Sequence, residues 1–283
     1  MKQITLLLTA VLCCLGASAQ KPNDTLRIGN MVIVKDGKKG KRNVYINKND
    51  NKRKRSNLST NWGIVDLGFA NYEDKTNYGS TGTYLVNRPG AYPLIGKNDL
   101  KLRSGKSINV NIWFFMQKLN LVKHKVNLKY GLGLELNNYR YKSFTSLSYK
   151  EGGPVPYTLG AITNEPFIFR DSISFSKNKL AADYLTVPVM LNFATHNNQR
   201  RGVSLSVGVS AGYLYSQRNK QKSDERGKLK NKGEYDMERF KFSYIAEASI
   251  MGIRFYGSYS PKSMYQHSLD IRPYTVGLRF SNW

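Results

Sequence analysis

From Val203 to Ser216 the chain alternates without interruption. Val203, Leu205, Val207, Val209, Ala211, Tyr213 and Tyr215 occupy one parity, and Ser204, Ser206, Gly208, Ser210, Gly212, Leu214 and Ser216 the other. A period of two belongs to an extended strand with one apolar face and one small or polar face. Length then separates a soluble strand from a membrane-crossing one. Ordinary strands average about 5 to 6 residues, whereas a tilted strand needs roughly 9 to 11 to cross the hydrocarbon. The same phrase recurs after residue 60, at about 61–72, 106–118, 124–142, 180–195, 203–217, 239–250, 253–260 and 271–283. The expected fold is therefore all-β, an eight-stranded antiparallel transmembrane β-barrel over residues 61–283.

The links between these segments alternate as well, short at 119–123, 196–202 and 251–252, long and polar at 73–105, 143–179, 218–238 and 261–270. Bacterial barrels join their strands by short periplasmic turns and longer extracellular loops, so this rhythm puts both termini in the periplasm. Phe167 to Phe175 also alternates. It reads as a hairpin above the membrane, with a ten-stranded barrel as the alternative.

Parity assigns the two faces. Val65, Leu67 and Phe69; Ile108, Val110, Ile112 and Phe114; the even positions Val126 to Leu136; and Leu185, Val187, Val189, Leu191 and Phe193 form an uncharged lipid face. Asp66, Lys129, Glu135, Lys241, Glu247, Arg254 and Arg279 fall on the opposite parity and should point inward. Eight strands enclose only enough room for their own side chains, so these charges are expected to pair into a polar plug rather than line a pore. Tyr213, Tyr215, Phe240, Phe242 and Tyr244 suit an aromatic belt at headgroup depth. Because only alternate residues face lipid, a mean hydropathy of -0.49 is compatible with membrane residence.

Ahead of the barrel, Lys2, the apolar run Ile4 to Leu15 and Ala17-Ser18-Ala19 have the order of a secretory signal peptide over residues 1–19, with the mature chain starting near Gln20. Cys13 and Cys14 both lie inside that run, so the exported protein is expected to carry no disulfide and no cysteine metal site. Leu12 before Cys13 argues against lipoprotein processing, which needs a small residue there. Residues 20–60 read as a periplasmic segment with two short strands around Asp36-Gly37. Twelve Lys/Arg against three Asp give that segment a net charge of +9. No apolar stretch beyond residue 19 approaches the roughly 20 residues of a membrane helix.

The last residues, Thr275-Val276-Gly277-Leu278-Arg279-Phe280, resemble the polar-x-Gly-x-x-aromatic signal by which outer-membrane barrels engage their assembly machinery. Trp283 stands one place later than the usual final aromatic. Together with Asn61-Trp62-Gly63, Ser107 to Asn111, Tyr130 to Tyr139 and Tyr184 to Pro188, the chain from about 60 to 283 resembles the small outer-membrane β-barrel proteins of Bacteroidetes, the PorT-like group. That resemblance implies an envelope location and a barrel fold, and brings no catalytic residue set.

A formal charge of +25 raises nucleic acid as a partner, since clustered Lys and Arg neutralise phosphates. Export and the scatter of the basic residues over tail and loops argue against it. Phosphate-rich lipopolysaccharide is the better-motivated partner, through Arg218, Lys220, Lys222, Arg226, Lys228, Lys230 and Lys232. The competing reading is a solvated loop whose charge is partly cancelled by Asp224, Glu225, Glu234 and Asp236. Of the three histidines, His124 and His196 fall at the short turns, and His267 with Ser263 or Ser268 is the one local pair that hydrolytic chemistry could use. No metal-ligand spacing or nucleotide fingerprint appears, and no cofactor is expected. The functional expectation is a non-enzymatic envelope scaffold or surface interaction barrel that recognises an envelope partner by its long loops. A subunit of a secretion or transport assembly is the second reading and a lipid-modifying enzyme the third.

Overall fold

The structure is a computed structural model that describes residues 25–28, 31–35, 42–46, 56–90, 93–142, 147–195 and 202–281. The proposed signal peptide, His196 and Trp283 lie outside these residues. The chain divides into two units, Met1–Arg55 and Ser56–Trp283. In the first, Thr25–Ile28, Met31–Lys35 and Arg42–Ile46 form a three-stranded antiparallel meander, one strand more than the two expected.

In the second unit, eight strands close into a ring: β1 (Leu58–Asp74), β2 (Ile108–Val122), β3 (Val126–Arg140), β4 (Lys177–Ala194), β5 (Val203–Ser223), β6 (Phe240–Ile250), β7 (Ile253–Tyr259) and β8 (Ile271–Phe280). Each pairs antiparallel with its neighbours in sequence, and β8 returns to β1 from Ile271↔Asp74 to Phe280↔Val65. Closure leaves no unpaired edge, which is what a strand assembly in hydrocarbon requires. The eight alternating segments are the eight staves. Phe167–Arg170 is not a stave, which rules out the ten-stranded alternative. It pairs antiparallel with Leu147–Lys150 and parallel with Leu85–Val86 in a small sheet at the long-loop end.

The wall is inside out relative to a soluble protein. Leu67, Phe69, Val189, Val209, Phe255 and Val276 are exposed outward while Asp66, Asn109, Lys129 and Asn137 are almost wholly buried. Bulges at Phe114 of β2 and at Tyr215 of β5, opposite Asp183/Tyr184, reset the parity along those two strands. Within the barrel, Ile64, Trp113, Met116 and Met190 add a small apolar layer to the charged one that parity indicated. At the long-loop end a second, larger apolar core gathers Tyr84, Leu85, Ile95, Leu100, Leu102, Ile168, Tyr235, Met237, Met264, Tyr265 and Leu269 from all four long connections, over Tyr139, Leu180 and Ile271 of the wall. The long loops thus form a packed cap.

Candidate functional site

Three features have the chemistry of a site: the lumen, a cleft in the cap, and a basic sheet on the outer wall. In the lumen Arg279 of β8 donates through Nε and Nη2 to the two Asp66 oxygens at 2.7 Å each, and through Nη1 to Glu247 at 2.5 Å. Lys129 reaches the same Glu247 oxygen at 2.6 Å. Asp66 also accepts from Trp113 Nε1 at 2.7 Å and Asn111 Nδ2 at 3.1 Å. Asn109 Nδ2 donates to Asn111 at 3.0 Å and Asn137 at 2.8 Å, and Asn137 donates to Glu135 at 3.0 Å, which pairs with Lys241. Arg254 hydrogen-bonds Ser281 near the strand end. The structure brings six of the seven inward charges into one continuous network, with Arg254 beside it. The network crosses the lumen between β1, β3, β6 and β8, and each of its three carboxylates has a cationic partner.

In the cap, a cleft of about 510 Å³ is lined by Glu151, Glu165, Glu234, Asp236, Arg239, Gln266 and His267, with Asn164, Pro166, Gln217 and Met237. Asp236 stands at a left-handed φ of 56° and is buried, with His267 Nδ1 2.7 Å from its Oδ1 and the His267 backbone N–H donating to Oδ2 at 3.1 Å. Burial raises the Asp236 carboxyl above the usual range, although its hydrogen bonds with His267 pull the other way. The Asp236 hydrogen bond and charge raise the His267 imidazole above its ordinary value. Serine is not the partner of His267. Ser263 Oγ donates to Leu269 O at 2.7 Å and accepts from Tyr265 N at 3.0 Å and Ile271 N at 3.2 Å, which occupies it in holding the turn. Among the described residues no hydroxyl or thiol side chain lines the cleft, and no group of acids and histidines has the geometry of a metal site. Asp236 and His267 are far apart in sequence, and no local motif could have joined them.

On the outer wall, β5 continues past the aromatic positions Tyr213 and Tyr215 into a hairpin with Gly227–Lys232. Arg218, Lys220, Lys222, Lys228, Lys230 and Lys232 lie along it. Two of the expected lipopolysaccharide contacts are already engaged, Arg218 with Asp183 and Arg226 with Asp171 at 2.8 Å. Of the three described positions of the chain-end signal, Thr275 is buried beside Ser258, Gly277 faces Gly68, and Phe280 points outward at the end of β8.

A closed ring with an apolar exterior and a charged, hydrogen-bonded interior defines a membrane-embedded β-barrel. The family profile of the outer membrane protein beta-barrel domain matches residues 48–269. The chain belongs to that family, and the family's residence is the bacterial outer membrane. No curated protein sequence matches the chain. Among solved structures, the attachment invasion locus protein Ail of Yersinia pestis, in complex with the heparin analogue sucrose octasulfate, is similar at 12% identity and a TM-score of 0.29, over 77% of this chain and 99% of that one.

Proposed function

We propose that this chain is a non-enzymatic outer-membrane barrel of the PorT-like kind whose long loops, folded into the cap, are an extracellular recognition surface, with the short turns and both termini in the periplasm. The observation that carries the reading is the second apolar core. Ordering four long loops costs about 1 to 2 kcal/mol of backbone entropy per residue, so loops with no task are ordinarily left unpacked. Here they bury Leu100, Ile168, Met237 and Leu269 to 4% exposure or less and hold open a cleft rimmed by carboxylates. A hydrophilic partner bearing cationic groups or sugar hydroxyls fits that lining. The full plug and the absence of a hydroxyl nucleophile among the described cleft residues support binding over transport or hydrolysis.

The test is site-directed labelling in intact cells. Leu159 and Ile162 of the cap and Met251 of a short turn are all exposed, so each can be replaced by cysteine in turn. A membrane-impermeant maleimide should label Leu159→Cys and Ile162→Cys but not Met251→Cys. Photocrosslinkers at the two cap positions should yield a discrete adduct. Labelling of Met251→Cys alone would reverse the orientation. Adducts from the short-turn side alone would favour a periplasmic secretion partner.

A further inference from the structure

The register of the outer wall makes a charge pattern that no single segment displays. Across β3, β4, β5 and the Gly227–Lys232 strand, Arg140 pairs with Lys179, Lys179 with Lys220, and Lys220 with Lys230. One row further from the lipid-facing band, Lys177 pairs with Lys222 and Lys222 with Lys228. One row nearer to it, Arg218 faces Lys232. Alternation puts all of these on the outward face, since the intervening Asn178, Leu180, Asn219 and Gln221 are buried. Like charges directly opposite in a sheet destabilise it. Natural edges usually carry isolated lysines, not a lattice of them.

Among the described residues only Arg218 of this lattice has a carboxylate partner, Asp183. The congestion is felt locally. The Lys179 ammonium, beyond the membrane-spanning part of β4, is pushed down to about 8, first by burial and then by Lys220, Lys177, Arg218 and Arg140. Anions seated between the ammonium groups would relieve that repulsion.

We infer that this four-stranded basic face binds the phosphate groups of the outer-leaflet glycolipid, lipopolysaccharide, and forms a lipid-clamping site on the flank of the barrel. Position selects the lipid over a soluble polyanion. The lattice continues the lipid-facing surface itself. On β5 the outward series passes from Val207 and Val209 through Tyr213 and Tyr215 directly to Arg218, Lys220 and Lys222. At about 3.3 Å per residue, the lattice begins roughly 10 Å along the strand from Tyr215 and spans the depth of phosphorylated headgroups. A ligand recognised from solution would more naturally meet the top of the cap. Arg140, Lys177 and Lys179 belong to the site and Arg226, held by Asp171, does not.

The experiment uses the full chain refolded in detergent and in nanodiscs, with purified lipopolysaccharide and the same lipopolysaccharide chemically dephosphorylated as probes. Wild type should bind the phosphorylated form and gain thermal stability from it, with little response to the dephosphorylated form. A surface lysine beside an anionic lipid layer is worth about five-fold in affinity, so replacing Lys179, Lys220, Lys222 and Lys230 together by alanine should weaken binding by at least about 100-fold. In detergent without lipopolysaccharide the same variant should melt higher than wild type, because the repulsion is gone. This inversion of sign separates a ligand site from a structural role. Equal binding of both glycolipid forms by wild type would overturn the inference without needing a folded variant. Retained affinity in the quadruple variant would also overturn it. Tight binding of soluble heparin with no discrimination between the two glycolipids would reassign the lattice to sulfated glycans.

Discussion

At the scale of single residues, the Asp236–His267 pair is where pH enters. The Asp236 hydrogen bond and charge raise the His267 imidazole. The stabilisation it brings is therefore complete below the ordinary imidazole pKa of about 6.5 and is lost as pH rises through the higher folded value. Asp236 is raised too, by burial foremost. Its ionisation costs the fold between the ordinary carboxylate range and its raised value, so both titrations weaken the cap in the same direction, upward in pH. Around the pair, Gln266 N donates to Asp236 O at 2.8 Å and Glu238 N to Met264 O at 2.9 Å, tying two long loops together. An NMR titration from about pH 6 to about pH 9 should find the His267 midpoint above that of an exposed histidine. Asp236→Asn should return it to the ordinary value. An unshifted midpoint in the wild type would mean that the contact carries no charge coupling.

At the scale of elements, glycines decide how tightly the staves close. Gly277 of β8 faces Gly68 of β1. A Cβ on Gly277 would lie 2.4 Å from Leu67 O and 2.7 Å from the Tyr256 ring, whereas one on Gly257 would lie 3.5 Å from Thr275 O. Gly277→Ala should therefore cost about 1 to 3 kcal/mol through overpacking, and Gly257→Ala less than about 0.5 kcal/mol. Both can be read from the temperature at which the folded band disappears in unboiled gels of refolded protein, where no assembly machinery intervenes. Equal melting would show that the seam relaxes. The strands themselves were legible because alternation is local: Val203 to Tyr215 announces its own period and its own outward face. Asp66 and Arg279 could be assigned inward for the same reason. What alternation cannot carry is pairing between distant segments. The parity reset at Tyr215 opposite Asp183/Tyr184, the parallel contact of Ile168 with Leu85 and the opposition of Lys179 to Lys220 arise only when the ring closes. The cap and the basic lattice were accordingly visible only in part, as polar loops and as one run of lysines.

At the scale of the whole molecule, the plug acts as the core that an inside-out protein otherwise lacks. Lipid contacts the wall on the outside, so cross-barrel cohesion must come from the lumen. Arg279 is the hub, binding Asp66 on β1 and Glu247 on β6, which in turn binds Lys129 on β3. Arg279→Met leaves Asp66 without its bidentate partner while Glu247 keeps Lys129. Stranding a buried charge in this way typically costs about 3 to 5 kcal/mol, far more than the pair contributes relative to an apolar replacement. Urea unfolding in micelles, followed by tryptophan fluorescence, should show that loss. Adding Asp66→Asn to Arg279→Met should recover a substantial part of it, because the stranded charge is then removed. Planar bilayers give the complementary readout: wild type should pass no steady ion current, while Arg279→Met should admit water and ions beside the ionised Asp66. If Arg279→Met were within about 0.5 kcal/mol of wild type and equally silent, solvent would already be screening Asp66, and the lumen would be a wet vestibule instead of a salt-bridged core.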